Sequence, residues 1–425
     1  MFDLGNLRKW PVLRWVALIF IVSFAARAAV LLAYCATHPN YPLEDTEIGR
    51  VAIQLGQHNQ FANPFSKPTG PTAHVAPVYP LLTSIWVRLL GTGNAAGLAT
   101  CLTNILFVSA AYSLMPALAR TCSVPIEVGV LAGLIPAAVP FSAFVEMRLS
   151  EAPLLFLLLV IASIAFIHLL QKGRLSAVPA LGYGVLCGLL LLTSPVALLV
   201  LAGFFLAGFS ICAKSGRLNT YMRFASLAAL AMGLTLSPWI LRNYRVFGHF
   251  FLVRSNFGLE LELSNHDGAS PLLEVNEGSD YFYKNHPFWS RSEADSMNQV
   301  GEFAYNRRAL RTALSWMATR PVPFLRLCLE RFVYFWFMPG WPPLKAIILF
   351  PMVVLAGWGA IRMVRDHPTA GWILGMVALL FPLVYYVVQV ANRYRLPMYW
   401  TLYFFASYAL VGRKYKVESR DPGLA

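Results

Sequence analysis

Residues 41–91 read YPLEDTEIGRVAIQLGQHNQFANPFSKPTGPTAHVAPVYPLLTSIWVRLLG, a polar stretch set between two strongly apolar regions. Three carboxylates, Glu44, Asp45 and Glu47, fall within four positions at its start. Ile48, Val51, Ala52 and Leu55 follow at i, i+3, i+4 and i+7, which predicts a short amphipathic helix. One reading makes Asp45 the cap of a surface helix. The other lays the helix on a membrane surface, where it aims a carboxylate into a cavity as a general base requires. The segment from Val78 to Leu90 is apolar but too short to span a bilayer, and carries Arg88 near its end.

The flanking chain is that of a multispanning membrane protein. Hydrophobic residues make up 57% of 425 positions and charged ones 13%, with a mean hydropathy of +0.58, far from a soluble domain. Ten spans are predicted, near 12–36, 96–119, 126–145, 151–170, 177–192, 196–213, 222–241, 344–361, 371–390 and 396–411. The apolar run from Trp15 to Ala36 exceeds a signal-peptide core and lacks a small-residue cleavage site, so it is expected to remain as the first span. Arg8, Lys9 and Arg14 before it, and Arg120, Lys172, Arg174, Lys214, Arg217, Arg223, Arg362, Arg365, Arg413, Lys414 and Lys416 at later ends, put both termini in the cytoplasm of a cell (inner) membrane protein. The expected organisation is a cytoplasmic start and first span (1–36), a first outer loop (37–95), core spans (96–241), a second outer region (242–343), final spans (344–412) and a cytoplasmic tail (413–425). Within the second outer region, residues 266–298 have the Gly, Ser, Asn, Asp and Pro content of irregular structure, and Phe324 to Met338 reads as an interfacial helix. Arg27, inside the first span, either faces a polar cavity or snorkels.

Composition excludes several classes. The net charge of +14 comes from basic residues scattered at helix ends, without the basic domain that nucleic acid requires. Cys35, Cys101, Cys122, Cys187, Cys212 and Cys328 are widely spaced, implying neither a disulfide framework nor a zinc site. No P-loop or dinucleotide fingerprint is present.

Four features fall on the outer face: the acidic helix, the Glu146/Arg148/Glu151 turn, PWILRNYRVFG (238–248) and Arg393-Tyr394-Arg395. A carboxylate beside several guanidiniums suits a reaction with a base and a phosphate leaving group, because arginine binds phosphate oxygens in pairs and stays charged.

With EDTEIGRVAIQL, FANPFSKPTGPTAHVAPVYPLL, MRLSEAPLL, PWILRNYRVFG followed by RSNFGLEL, and RYRLPMYW in this order, the chain resembles the polytopic GT-C glycosyltransferases, a group containing protein O-mannosyltransferases and aminoarabinose transferases of lipid A, and within it a bacterial mannosyltransferase-like subgroup. The resemblance implies an all-α GT-C-like bundle of about ten transmembrane helices, with two large extracytoplasmic loops carrying interfacial helices. It implies an extracytoplasmic active site, a polyprenyl-phosphate sugar donor, an unidentified extracytoplasmic acceptor and an acid in the first outer loop. The acid is Asp45 or Glu47, with Glu44 third; the family's usual Asp-Glu order is reversed here, and Ile48 stands where a tyrosine is usual. Substrate binding would fall to Arg148, Glu151, Arg242, Asn243, Arg254, Arg393, Arg395 and His74. The expected reaction is one inverting displacement with the arginines on the departing phosphate. No cofactor is firmly implied, although the first-loop carboxylates could hold a divalent cation. A transporter or lipid flippase, or an O-antigen polymerase or ligase, would share the span count or the lipid phosphate.

Overall fold

The computed structural model describes residues 10–38, 40–338 and 343–412, with the backbone alone for 343–346. The basic residues expected to fix both termini (Arg8, Lys9, Arg413, Lys414, Lys416) and the 413–425 tail lie outside the described residues. Among the described residues seven helices are long and apolar enough to cross a membrane: Val12–Thr37, Asn94–Thr121, Ala152–Lys172, Ala197–Lys214, Leu218–Phe247, Ile347–Asp366 and Pro368–Val387. The other three segments expected to span form shorter helices, Ile126–Ala138 with 13 residues, Ala177–Thr193 with 17 and Tyr399–Val411 with 13. At 1.5 Å per residue a 13-residue helix covers about 20 Å, less than a hydrocarbon core.

Proline explains where the helices depart from the apolar runs. The span expected over 126–145 stops at Ala138 because Pro140 has no N–H to give the Pro136 carbonyl. Arg27 takes that carbonyl instead, its Nη2 donating to Pro136 O at 3.1 Å, and reaches Ala137 O at 3.5 Å. The same guanidinium binds Glu146 with both carboxylate oxygens, Nε to Oε2 at 2.7 Å and Nη2 to Oε1 at 3.3 Å. Ser23 Oγ accepts from Nη1 at 2.8 Å. Both partners are buried. Arg27 therefore neither snorkels nor lines a cavity; it ties the first span to the Ala143–Met147 turn. Glu146, expected at the membrane surface, is the other half of this bond.

The two regions expected outside the membrane fold against each other. The Glu47–His58 helix is capped by Thr46, whose side chain accepts from Gly49 N, so Thr46 and not Asp45 is the cap. It closes at Asn59 in the left-handed region (φ 55°). Val51, Ala52 and Leu55 are buried as the period predicts, packing with Val75 and Phe61. Residues 266–298 are not irregular throughout. Leu273–Asn276, Asp280–Asn285 and Arg291–Val300 are short helices, the last two capped by Ser279 and Ser290. These, with Phe257–Ser264, Glu302–Thr319 and Pro321–Phe337, make a helical layer. It has its own core of Phe65 from the first loop, Leu259, Leu263, Leu273, Phe282, Phe288, Met297 and Tyr305, and Ala391 from the last turn.

Removing one partner of a buried ion pair strands a desolvated charge, at a cost of about 3–5 kcal/mol, whereas an apolar pair is tolerated. Arg27→Met and Glu146→Leu alone should each lower the melting temperature of the purified protein sharply. The double substitution should recover most of the loss; equal melting of all three variants would disprove the stranded-charge account.

Candidate active site

Helix ends and both loops surround one cavity of about 460 Å³. The bundle contributes the start of Ala152–Lys172, the Ser194-Pro195-Val196 break between two helices, and Val384, Tyr385 and Val388. The loops contribute Asp45, Glu47, His74, Arg254, Glu260, Glu277, His286 and Arg393. One wall is thus mostly apolar, and the opposite wall carries charge.

The segment Thr72-Ala73-His74 is held from both sides. Buried Glu302 accepts from Thr72 Oγ1 at 2.5 Å, from Ala73 N at 2.8 Å and from Ser255 Oγ at 2.5 Å. Arg242 donates to Thr72 O at 2.7 Å and Phe61 O at 2.9 Å. Arg254 Nε donates to His74 O at 2.9 Å, and Ser255 N to Ala73 O at 3.0 Å. Farther along the same loop, Lys67 pairs with Asp295, and Ser66 Oγ donates to Phe288 O at 2.6 Å.

Glu47 occupies the first turn of its helix with its side chain 30% exposed, so it is partly shielded yet reachable. Its Oε1 lies 3.7 Å from His74 Nε2 and 3.5 Å from His286 Nε2. Burial by itself would raise the Glu47 carboxyl; His74, His286 and Arg393 outweigh it and hold the group below the usual carboxylate range. Burial pulls the His286 ring down to about 4, outweighing the Glu47 charge that acts to raise it. At neutral pH the pair is therefore an anion beside a neutral imidazole. Burial, helped by Glu274 and Glu47, raises the Glu277 carboxyl, against Arg393 and Arg148. Arg393 lies over the Tyr394 ring, 5.2 Å from its centroid, and Tyr394 stacks on Tyr385 at 4.7 Å. Arg254 Nη1 is 3.6 Å from Glu151 Oε1.

Of the residues singled out in the sequence, Asp45, Glu47, His74, Glu151, Arg254 and Arg393 meet at this cavity. Glu44 does not; it borders a separate small hollow with Arg50 and Gln54. Arg242, expected to bind substrate, is occupied by the Phe61 and Thr72 carbonyls and by Asn243 Oδ1 at 3.1 Å, and Asn243 is buried beneath it. Arg395 is likewise buried; it donates to Asn392 Oδ1 and reaches the carbonyls of Tyr334 (3.5 Å) and Phe335 (3.4 Å). Tyr334 O also accepts from Met338 N at 3.3 Å, so the guanidinium adds a donor at a helix end where backbone donors run out. Arg148 is exposed and does not line the cavity; its carbonyl accepts from Asn104 Nδ2 at 2.8 Å. Sequence reasoning missed His286, Glu277 and Glu260. The first two sit in turn-rich text without period or motif, and the Pro287 that follows His286 was the only local signal. Among the described residues no group of three or more His, Cys, Asp or Glu side chains is placed to hold a metal ion.

No protein-family model matches the chain, and no curated protein matches it by sequence. Among solved structures, it is similar to the crystal structure of the Archaeoglobus fulgidus oligosaccharyltransferase in complex with zinc and sulfate, with a TM-score of 0.52 at 13% identity. The match covers 87% of this chain and 45% of that one, so the chain spans about half the length of the protein it resembles. The likeness is one of helical fold, shared over most of this chain's own length.

Glu302→Leu leaves the Thr72 hydroxyl without its acceptor and the Ala73 N–H without a partner in a buried place, at about 1–3 kcal/mol each. This variant should melt well below wild type and show faster proteolysis within residues 59–77. Unchanged protection of that segment would disprove the clamp.

Proposed function

We propose that this protein is an integral-membrane glycosyltransferase that moves a sugar from a polyprenyl-phosphate donor to a hydroxyl acceptor, with Glu47 as the general base. The observation that carries the reading is the meeting of an anionic Glu47 with the guanidiniums of Arg254 and Arg393 in one cavity, closed on its other side by apolar ends of spanning helices. The GT-C architecture shared with an oligosaccharyltransferase supports sugar transfer as the class of chemistry.

In this reading the carrier chain lies against Leu155, Val196, Val384 and Val388, and the headgroup phosphate sits between Arg254 and Arg393. Before substrate enters, Glu47 is an anion. A bound phosphate adds negative charge and displaces water, and both raise the proton affinity of the carboxylate as the acceptor hydroxyl arrives. Glu47 takes the hydroxyl proton, the acceptor oxygen bonds to the anomeric carbon, and the carbon–phosphate oxygen bond breaks. Its electron pair leaves on the phosphate, held by the two guanidiniums. A phosphomonoester departs as an anion without a protonating acid, so one carboxylate suffices where glycosidases use two, and the sugar inverts. The basic helix ends Arg120, Lys172, Arg174, Lys214 and Arg217 lie at the opposite end of the bundle from the cavity, which favours an extracytoplasmic site.

Glu47→Gln should abolish transfer from a polyprenyl-phosphate sugar in reconstituted membranes. Asp45→Asn should retain most activity, and Arg393→Ala should lose about 100-fold or more in kcat. Because His74, His286 and Arg393 hold the free carboxylate below its usual range, kcat/KM should persist at pH values below an ordinary glutamate limb. Wild-type rates in Glu47→Gln would sink the assignment.

A further inference from the structure

His286 belongs to a three-residue device that its own sequence builds. Pro287 fixes the backbone after it, and the next N–H, that of Phe288, turns back and donates to His286 Nδ1 at 3.0 Å. The His286 carbonyl anchors the following turn, accepting from Trp289 N at 3.0 Å and Ser290 N at 2.9 Å. This is the imidazole counterpart of an Asx-turn, in which a side-chain acceptor captures the N–H two residues on.

The bond has a chemical consequence. A neutral imidazole has one lone-pair nitrogen and one N–H, and Nδ1 is taken as the acceptor, so the hydrogen is on Nε2. Nε2 lies 3.5 Å from Glu47 Oε1. The ring is itself fixed: 5% exposed, stacked on Phe282 at a centroid distance of 4.8 Å and edge-on to Phe65 at 6.1 Å. His74 approaches the same oxygen from the other side, at 3.7 Å, with its Nδ1 buried and unpartnered among the described residues. Both imidazoles approach Oε1, and no finished hydrogen bond to either Glu47 carboxylate oxygen is found among the described residues.

We propose that His286 is a positioning residue for Glu47: locked by the Phe288 amide in its Nε2–H form, it presents a fixed donor to Oε1, so that the carboxylate stays ionised and turns Oε2 to the cavity. This rests on the reading of Glu47 as the base. The distance is long for a finished hydrogen bond, and such contacts tighten when substrate expels water. A donor offered to the anion favours the charged form, so its loss raises the pH at which Glu47 is protonated. The other groups facing Glu47 are His74, Arg393, Asp45 on the same rim and Glu277 across the cavity, and all remain in the variants used here.

Three substitutions separate a directed donor from aromatic packing. His286→Asn keeps an acceptor for Phe288 and removes the donor to Glu47; His286→Gln keeps an N–H at the Nε2 position; His286→Phe keeps only the ring. The Glu47 carboxylate is followed by infrared difference titration of the purified full chain, identified as the band missing in Glu47→Gln, and the acid limb of kcat/KM is measured alongside. In His286→Asn and His286→Phe the midpoint and the limb should move upward by about one pH unit. In His286→Gln both should stay near wild type. A midpoint unmoved in His286→Asn, or moved equally in His286→Gln, would overturn the proposal. Full transfer by Glu47→Gln would instead overturn the base assignment and leave the infrared result standing, so the two failures are distinguishable.

Discussion

The carboxylate of Glu302 is the contact on which the site depends. It sits in the first turn of the Glu302–Thr319 helix, buried, and receives a hydroxyl and an amide from the first loop and a second hydroxyl from Ser255. Three donors on one buried carboxylate satisfy it more fully than a single ion pair would, and charge-assisted bonds of this kind are the stronger ones. Because Thr72 and Ala73 precede His74, and Ser255 follows Arg254, one residue fixes two side chains of the cavity. Arg242 grips the same loop from the far side through backbone carbonyls. The loop carrying Glu47 and the region carrying Arg254 and His286 are thereby joined into one layer over the bundle, with the Phe65 core beneath.

The arginines divide by what their N–H groups already serve. Arg27, Arg242, Arg331 and Arg395 spend them on main-chain carbonyls and neighbouring side chains, Arg331 donating to Val387 O at 2.6 Å, to Asn265 Oδ1 at 3.0 Å and to Ser264 O. In an apolar bundle, carbonyls freed by a proline or a helix end have no water to turn to, and a guanidinium meets several at once. Arg254 and Arg393 differ in that each lines the cavity, Arg254 donating to His74 O and Arg393 to the Tyr394 hydroxyl. Position next to a helix end does not separate the two kinds, since Arg393 and Arg395 are two residues apart in one short turn.

The charged wall of the cavity shifts two of its carboxylates in opposite directions. Glu47, with imidazoles and a guanidinium around it, is kept ionised, and Glu277, facing Glu274 and Glu47 in a drier setting, is pushed toward its neutral form. Opposite shifts at neighbouring acids are a common mark of sites that handle protons.

Much of the fold was legible in the sequence, because the bilayer imposes a length and composition that each long helix must meet by itself. The acidic loop helix was legible for a similar reason, its apolar period being local to Ile48–Leu55. Helix ends were less so: Pro140 cut a predicted span, and the freed carbonyls found Arg27 over a hundred residues away in sequence. The site divided along the same line. Asp45, Glu47, Arg254 and Arg393 could be named from residue type and place in the chain, but Arg242 and Arg395 could not be told from them, because what separates them is which carbonyls lie opposite. His286 and Glu277 were invisible in turn-rich text. Chain-local physics determined the long apolar helices, the acidic loop helix and the candidate acids; only the packing of two distant loops on one another decided which charges share a cavity, since burial and partners are properties of the neighbours and not of the residue.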